Sequence, residues 1–584
     1  MKQAFTQPRT TRSALTGETV VELRAVANRF GGSDAARKRA LLRQASAATT
    51  MDAVTLLAYH DVLLFLLAYP ESAAMRALAA RELARVAGLA HAFDTSGPAR
   101  ARAKLRGTGI AWSPITIAFS YPIARWVLAR YPECGEIDSF GDRGELLAEW
   151  LRHALPPAEF ALVDAGEADP ESLIDAGVEG WTGSRLRWLV AQLERLPCEE
   201  ALREALFDSL QLFLELRPRD TTLSRTFARG LAASTYFHRT PLLRSADVER
   251  LLATPLPRTA RLTRRECARL VDTGRATLAM LGRETDPITH ADETRTRHVD
   301  LGRGVAIALY SARPARRNPL DSHVGYVLFK NAVPIGYGGG WPFLGRCKIG
   351  INIFAPFRGG ESAFLMASVL RVYAQLFAVE RFIVEPYQFG AGNREGLESG
   401  AFWFYYRLGF RPVDSALRVL AEAQFARMEA ERGYRAPLQV LRRFTRSDIE
   451  RVVVPGAPQA CDPAELSEAV TTWIAARFAG RREDAVAFAE RRIVAVLGRE
   501  RVARWTDAER AALRALAPVL AQIADLDRWS LREKVRLAAL IRAKAGDEYR
   551  YFQLMAGFVR LRDALNEVAA RRNAGAVRVR SRSP

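Results

Sequence analysis

Residues 348–412 hold the side chains of this 584-residue chain whose types and spacing suit chemistry best. In FRGGESA, Arg358, Gly359 and Gly360 precede Glu361, Ser362 and Ala363, between an alternating apolar run and a helical one. A glycine turn that opens a helix aims free backbone N–H groups outward, so it can hold an anion at the positive end of that helix. Arg358 adds a full charge there. Downstream, FIVEP ends on Glu385, GAGNREGLESG forms a glycine-rich loop, and AFWFYYRLGF packs five aromatic residues before Leu-Gly-Phe.

Other chemistries lack their residues. The chain has no GxxxxGK[ST], GxSxG or HExxH, and its seven histidines are scattered without ligand spacing, so no metal is expected. GYGGGWPFLG lacks the GxGxxG spacing and the following helix of a dinucleotide site. Five cysteines stand far apart, which argues against a zinc site or a disulfide framework and predicts a reducing, cytoplasmic setting. The amino terminus lacks the apolar core of a signal peptide. The most apolar run, 53–69, is broken by His60 and Asp61 and is shorter than the ~20 residues that span a bilayer, so a buried helix is expected there.

The elements around these residues follow from periodicity. Apolar residues at three-to-four spacing predict helices over 20–30, 35–45, 50–69, 73–90 and much of 145–216. The region 107–126, richer in Pro, Ile and aromatics, reads as short strands or loop. Near residue 289 the period changes. Val305, Ile307 and Leu309 alternate with small residues, HVGYVLFK and NAVPIGYGGG form two strands joined at Asn331, and Ile349, Ile351 and Ile353 mark a strand with one buried face. Helix returns over 416–432, a last strand is possible at 438–442, and 462–570 is almost wholly helical. The expected division is a basic, unstructured start (1–17), a mainly helical region (18–285), a mixed-sheet domain (286–455), a helical C-terminal domain (456–574) and a basic tail (575–584). The fold class is an α+β multidomain protein: a central mixed sheet with flanking helices, between all-helical N- and C-terminal regions.

The order of three strands, FRGGESA, helix, strand, loop, aromatic helix and Leu-Gly-Phe resembles the GNAT superfamily of acyl-CoA N-acyltransferases over about a quarter of the chain, 289–442. The resemblance implies that the strand carrying Ile351 and Ile353 bonds the pantetheine arm. It also implies that the turn, of pattern Gln/Arg-x-x-Gly-x-Gly/Ala, binds the pyrophosphate through Arg358, Gly359, Gly360, Ser362 and Ala363. The cosubstrate would be acetyl-CoA or another acyl-CoA, and the acceptor an amine. Tyr405 falls where many of these enzymes keep the acid for the departing thiolate, a role that suits a phenol of pKa ~10. Glu385 falls where two central strands splay, and is the candidate base. Asn352, Asn393 and Glu398 are further candidates on the acceptor side, with Trp341 and the glycine-rich segments lining it.

One position departs from the pattern: Glu361 stands where the middle glycine belongs. A carboxylate aimed at a pyrophosphate is opposed by about 1 kcal/mol or more. Glu361 therefore points away, or the site has changed use, or the residue is a first-turn acid that helps cap the helix. Two alternatives to an enzyme follow. The same fold can be a non-catalytic module that binds a ligand or protein within a helical scaffold. The surplus of 85 Lys and Arg over 65 Asp and Glu, a formal charge of +20, also suits nucleic acid, although no groove-reading motif is present.

Overall fold

The computed structural model describes residues 14–159, 169–231, 234–257, 259 and 261–580. The molecule is mixed α/β with two sheets. A small antiparallel sheet, in the order β1-β3-β2, comprises β1 (Ile115–Ile117), β2 (Gly135–Phe140) and β3 (Leu212–Leu216). The large sheet has eight strands: β4 (Arg297–Gly302), β5 (Val305–Ser311), β6 (Val324–Lys330), β7 (Val333–Phe343), β8 (Arg346–Ile353), β9 (Arg381–Val384), β10 (Arg411–Pro412) and β11 (Ile449–Val452). Its order is β10-β11-β9-β8-β7-β6-β5-β4, antiparallel throughout except for the parallel pair β8 and β9.

Each face of the large sheet carries a helix. Ser362–Phe377 lies on one face, where the Tyr373 hydroxyl donates to Val324 O at 2.5 Å and the ring meets Tyr326 edge-on. Arg264–Ala279 lies on the other, where Tyr310 donates to Leu270 O at 2.9 Å. That helix starts on a capping box between Thr263 and Glu266, which satisfies two of its orphan N–H groups. One continuous apolar core runs from the N-terminal helices through this sheet to the C-terminal helices. A second core belongs to the small sheet and its own helices, with Ala276 and Ala279 of helix Arg264–Ala279 and its C-cap Met280 packed into it.

The hairpin expected at Asn331 is present. Asn331 and Ala332 both take positive φ, 48° and 67°, the geometry that matches a two-residue turn to strand twist. The Asn331 amide also donates to Ala68 O at 2.7 Å and to Tyr236 O at 3.0 Å, and its oxygen accepts from Tyr236 N at 2.8 Å. It thus fastens the turn to the end of helix Ala53–Ala68. Asn331→Ala loses three hydrogen bonds, the one to Ala68 O buried, and the residue's tolerance of positive φ. It is expected to cost about 2 kcal/mol or more, read as a lower urea midpoint with an unchanged m-value.

Three expectations are corrected. The N-terminal region is not all-helical, because β1, β2 and β3 lie within it. The apolar spacing of CEEALREALFDSLQLFLEL reads as a single helix, but helix Glu200–Ser209 stops, Gln211 turns at φ 51°, and LFLEL alternates as β3. Residues 438–442 lie in helix Leu438–Phe444, which Pro437 opens, and the strand comes later as β11. The chain is helical from Gly17, and helix Val559–Arg580 takes in the first part of the expected tail; 1–13 and 581–584 lie outside the described residues.

The C-terminal helices clamp the sheet domain. Phe377 stacks on Tyr549 and meets Phe552 edge-on, while Lys544 reaches Ser322 Oγ at 2.8 Å and Arg317 reaches Glu548 at 3.3 Å. Among the described residues, no helix is long and apolar enough to cross a membrane.

Candidate functional site

The site begins where two parallel strands part. β8 and β9 pair only from Arg346 and Arg381 to Lys348 and Ile383. β8 then runs on to Ile353 bonded to β7 alone, whereas β9 ends at Val384. Pro386, which has no N–H and a fixed φ, turns the chain into the 3-10 segment Pro386–Phe389. The edge of β8 from Gly350 to Ile353 is therefore left open on the β9 side. Gly350 makes room for this arrangement: a Cβ there would sit 2.9 Å from the Gln388 side chain.

Tyr405 enters the gap from helix Ala401–Arg407, which lies between Gly400 and Gly409, both at positive φ. The aromatic block divides its labour. Phe402 stacks on Phe444 at 4.1 Å, and Tyr406 packs on Phe425 and under Arg411. Tyr405, only 2 % exposed, turns instead to the sheet, where the Ile351 N–H points at its hydroxyl. Burial pushes its pKa above the ordinary phenol value, with the Ile351 N–H pulling the other way. The phenol stays protonated through neutral pH.

Next to the gap lies a cavity of about 620 Å³. It brings together Trp341, Ile351, Asn352, Ile353, Arg358 and Asn393 from the sequence candidates. Asn352 pairs across β7 with Tyr337 and approaches its hydroxyl at 3.4 Å, while Arg283 donates to the same hydroxyl at 3.2 Å. Asn393 caps helix Arg394–Glu398, accepting from Gly396 N and donating to Tyr387 O, both at 3.0 Å. Glu398 lies outside the cavity in an ion pair with Arg394 at 2.6 Å. Glu385 also lies outside it, half-exposed, and bonds Lys348 at 2.8 Å.

The turn occupies one end of this cavity. Arg358 Nε donates to Ile353 O at 3.1 Å, and its guanidinium meets Glu395. Gly359, exposed at φ 79°, supplies the conformation that only glycine takes freely. A Cβ on Gly360 would lie 3.0 Å from Phe357 O. Among the described residues no side chain caps helix Ser362–Phe377, so the first N–H groups of the helix, at Ser362 and Ala363, keep their anion-binding capacity. Neither Glu361 nor Ser362 acts as the expected cap. The Glu361 carboxylate instead points into the core, fully buried, where it bonds Lys330 at 2.7 Å, Arg303 at 3.1 Å and Leu243 N at 3.2 Å. It takes its own charge away from the turn, where the Glu395 carboxylate on Arg358 remains.

Gln388 and His323 are among the polar residues of the site that escaped the sequence reading. Gln388 lies over Gly350 at the mouth of the gap. His323 lines the cavity with its ring stacked on Trp341 at 3.9 Å, and burial draws its pKa down to about 4, so it is a neutral imidazole at physiological pH. The run Gly338-Gly339-Gly340 carried the signal. Glycine inside a strand marks a close approach, and here a Cβ would strike Tyr326 from Gly338, His323 from Gly339 and Tyr373 from Gly340.

The site thus offers an open strand edge for an extended amide-bearing chain, an anion turn at one end, a protonated phenol in the gap and a neutral imidazole on the cavity wall. Set against family models, curated proteins and solved structures, the chain matches none of them.

Proposed function

We propose that this chain is an acyl-CoA-dependent N-acyltransferase of the GNAT type, acting on an amine. The observation that carries this reading is the parting of β8 from β9 beyond Lys348 and Ile383, with the Tyr405 hydroxyl held against the Ile351 N–H inside the gap. The pantetheine amides of the cosubstrate would pair with the open backbone of Ile351 and Ile353. Its pyrophosphate would meet Arg358 and the N–H groups from Gly359 to Ala363. The acceptor nitrogen attacks the thioester carbonyl carbon, a C–N bond forms, the C–S bond breaks, and Tyr405 gives its proton to the departing sulfur. The proton lost by the amine needs a base. His323 is placed for that role on the cavity wall, with its basicity weakened by burial, whereas Glu385 stands outside the cavity bound to Lys348. A cytoplasmic setting suits cysteines that are all free.

Titration calorimetry with acetyl-CoA and longer acyl-CoAs tests the reading, and no heat at millimolar ligand abandons it. Arg358→Ala is expected to weaken acyl-CoA binding about tenfold, the size of one lost charge-assisted contact. Equal affinity would mean that the turn does not hold the phosphates. The Arg358–Glu395 pair favours a second reading, a non-catalytic binding module in which the arginine serves the fold. That reading predicts a ligand bound in the cavity with no acyl transfer to any amine.

A further inference from the structure

Away from this cavity, four arginines gather around segment 228–231. Two cavities, of about 710 and 730 Å³, share Arg229 and Arg269 in their walls; the first adds Arg76 and His298, the second Arg265. The segment is strapped in place: Gly230 N donates to Ala332 O at 2.8 Å, Thr273 Oγ1 donates to Arg229 O at 3.1 Å, and Arg269 donates to Gly230 O at 3.2 Å. Gly230 also presses on Phe329, where a Cβ would lie 2.6 Å from the ring. The backbone is thus fixed and Arg229 is held where the two cavities meet.

These cations lack counter-ions. Among the described residues no carboxylate lies within ion-pair distance of Arg76, Arg229, Arg265 or Arg269. The Arg229 guanidinium donates only to Ala228 O, at 2.7 Å. Arg76 Nε and His298 Nε2 are buried without a partner. The acidic residues in the walls accept other hydrogen bonds or ion pairs, Glu266 from Thr263 N, Asp300 from Gly302 N and Asp272 from Arg130, while Asp300 and Glu266 also act on His298. Burial, then the neighbouring Arg76 charge, hold the Arg229 pKa down to about 10, the sign of a desolvated cation beside another. Two adjacent arginines without an acid cost the fold energy unless an anion joins them.

We infer that this place is a binding site for the phosphate or pyrophosphate group of a small molecule, with Arg229 and Arg76 as its charge partners and the rest of the ligand in the adjoining cavity. Guanidinium forks match phosphate oxygens bidentately, and His298 Nε2 completes a set of donors suited to a tetrahedral anion. The site shares no wall residue with the cavity that contains Arg358.

Calorimetry of the full chain with inorganic pyrophosphate at fixed ionic strength tests this. With Arg358→Ala as the background, so that the turn of the other cavity is silent, the expected result is binding that weakens tenfold or more on adding Arg229→Met or Arg76→Met, yet stays within twofold on adding Arg481→Met at the surface. Without anion, Arg229→Met should melt higher than the parent, because an unpaired buried charge is gone, and pyrophosphate should raise the Tm of Arg358→Ala but not that of the Arg358→Ala, Arg229→Met double variant. No heat with Arg358→Ala, or equal affinity on adding Arg229→Met to it, overturns the inference. Citrate bound as tightly as pyrophosphate, with the same loss in Arg229→Met, overturns the phosphate assignment. If Arg229→Met does not fold, Arg269→Gln on the exposed wall carries the test, with threefold weakening or more expected and unchanged affinity overturning it.

Discussion

Tyr405→Phe should lower kcat for acyl transfer by about a hundredfold, at the low end of what a positioned proton donor supplies, while acyl-CoA affinity stays within about twofold. The variant keeps the ring, and with it the edge-on contacts to Phe404 and Phe410 that seat helix Ala401–Arg407 against the sheet. What it loses is the hydroxyl facing the Ile351 N–H. That loss removes the phenolic donor in the gap, where a thiolate would develop. The same burial that raises the pKa of Tyr405 would also raise the proton affinity of a thiolate beside it, so transfer between them stays closely matched. Because the phenol does not ionise near neutrality, Tyr405 should add no limb to the pH–rate profile between pH 6 and 9. The check is steady-state release of free thiol with a panel of amines, together with calorimetry on the same preparation. An unchanged kcat removes Tyr405 from the mechanism, and a loss of affinity equal to the loss of rate makes it a packing residue.

What the sequence shows of this fold depends on how local the determinant is. Asn331 between two alternating runs specifies a hairpin by itself, and FRGGESA specifies a turn into a helix, because both are settled by φ preferences of adjacent residues. The strand β3 is less legible, since LFLEL satisfies a helical stripe as well as an alternation, and only the pairing with β1 and β2 decides. The site shows the same division. Arg358, Gly359 and Ile351 are placed by their neighbours in sequence. His323 and Gln388 are placed by glycines on other strands, Gly339 and Gly350, whose missing side chains let them in. Glu361 is the hardest position: its destination depends on Lys330, on a strand across the domain. The signal was present in VGYVLFK, where Lys330 shares the face of Val324, Tyr326 and Leu328. A lysine on a buried face requires a buried carboxylate.

Replacing Glu361 by glycine, the residue of the GNAT pattern, should cost stability and gain no affinity. Both partners are fully buried, at 0 % exposure. Lys330 sits between the rings of Tyr69, at 4.7 Å, and Tyr236, at 5.5 Å, with Glu361 as its acid. Removing one member of a buried pair leaves the other uncompensated, which costs about 3–5 kcal/mol. Glu361→Gly also frees Leu243 N and Arg303 and adds backbone freedom at the helix start. Burial already draws the Lys330 pKa down to about 8, against the pull of Glu361, and without the carboxylate it falls further. A lysine whose folded pKa lies below its unfolded value, ~10.4, binds fewer protons folded than unfolded, so the variant should gain stability as pH rises towards 10. The parent also has an acid limb, of the same sign. Burial raises the Glu361 pKa, but Lys330 and its hydrogen bond lower it by more, so its stabilising contribution is present above the ordinary carboxylate range and is lost as pH falls through the folded value. Urea denaturation at pH 3, 7 and 10 reads these effects. Lys330→Met combined with Glu361→Leu should recover most of the loss, since an apolar pair of similar volume avoids the desolvation penalty. A loss below about 1 kcal/mol in Glu361→Gly would mean that solvent reaches Lys330 and that the carboxylate is free to face the turn.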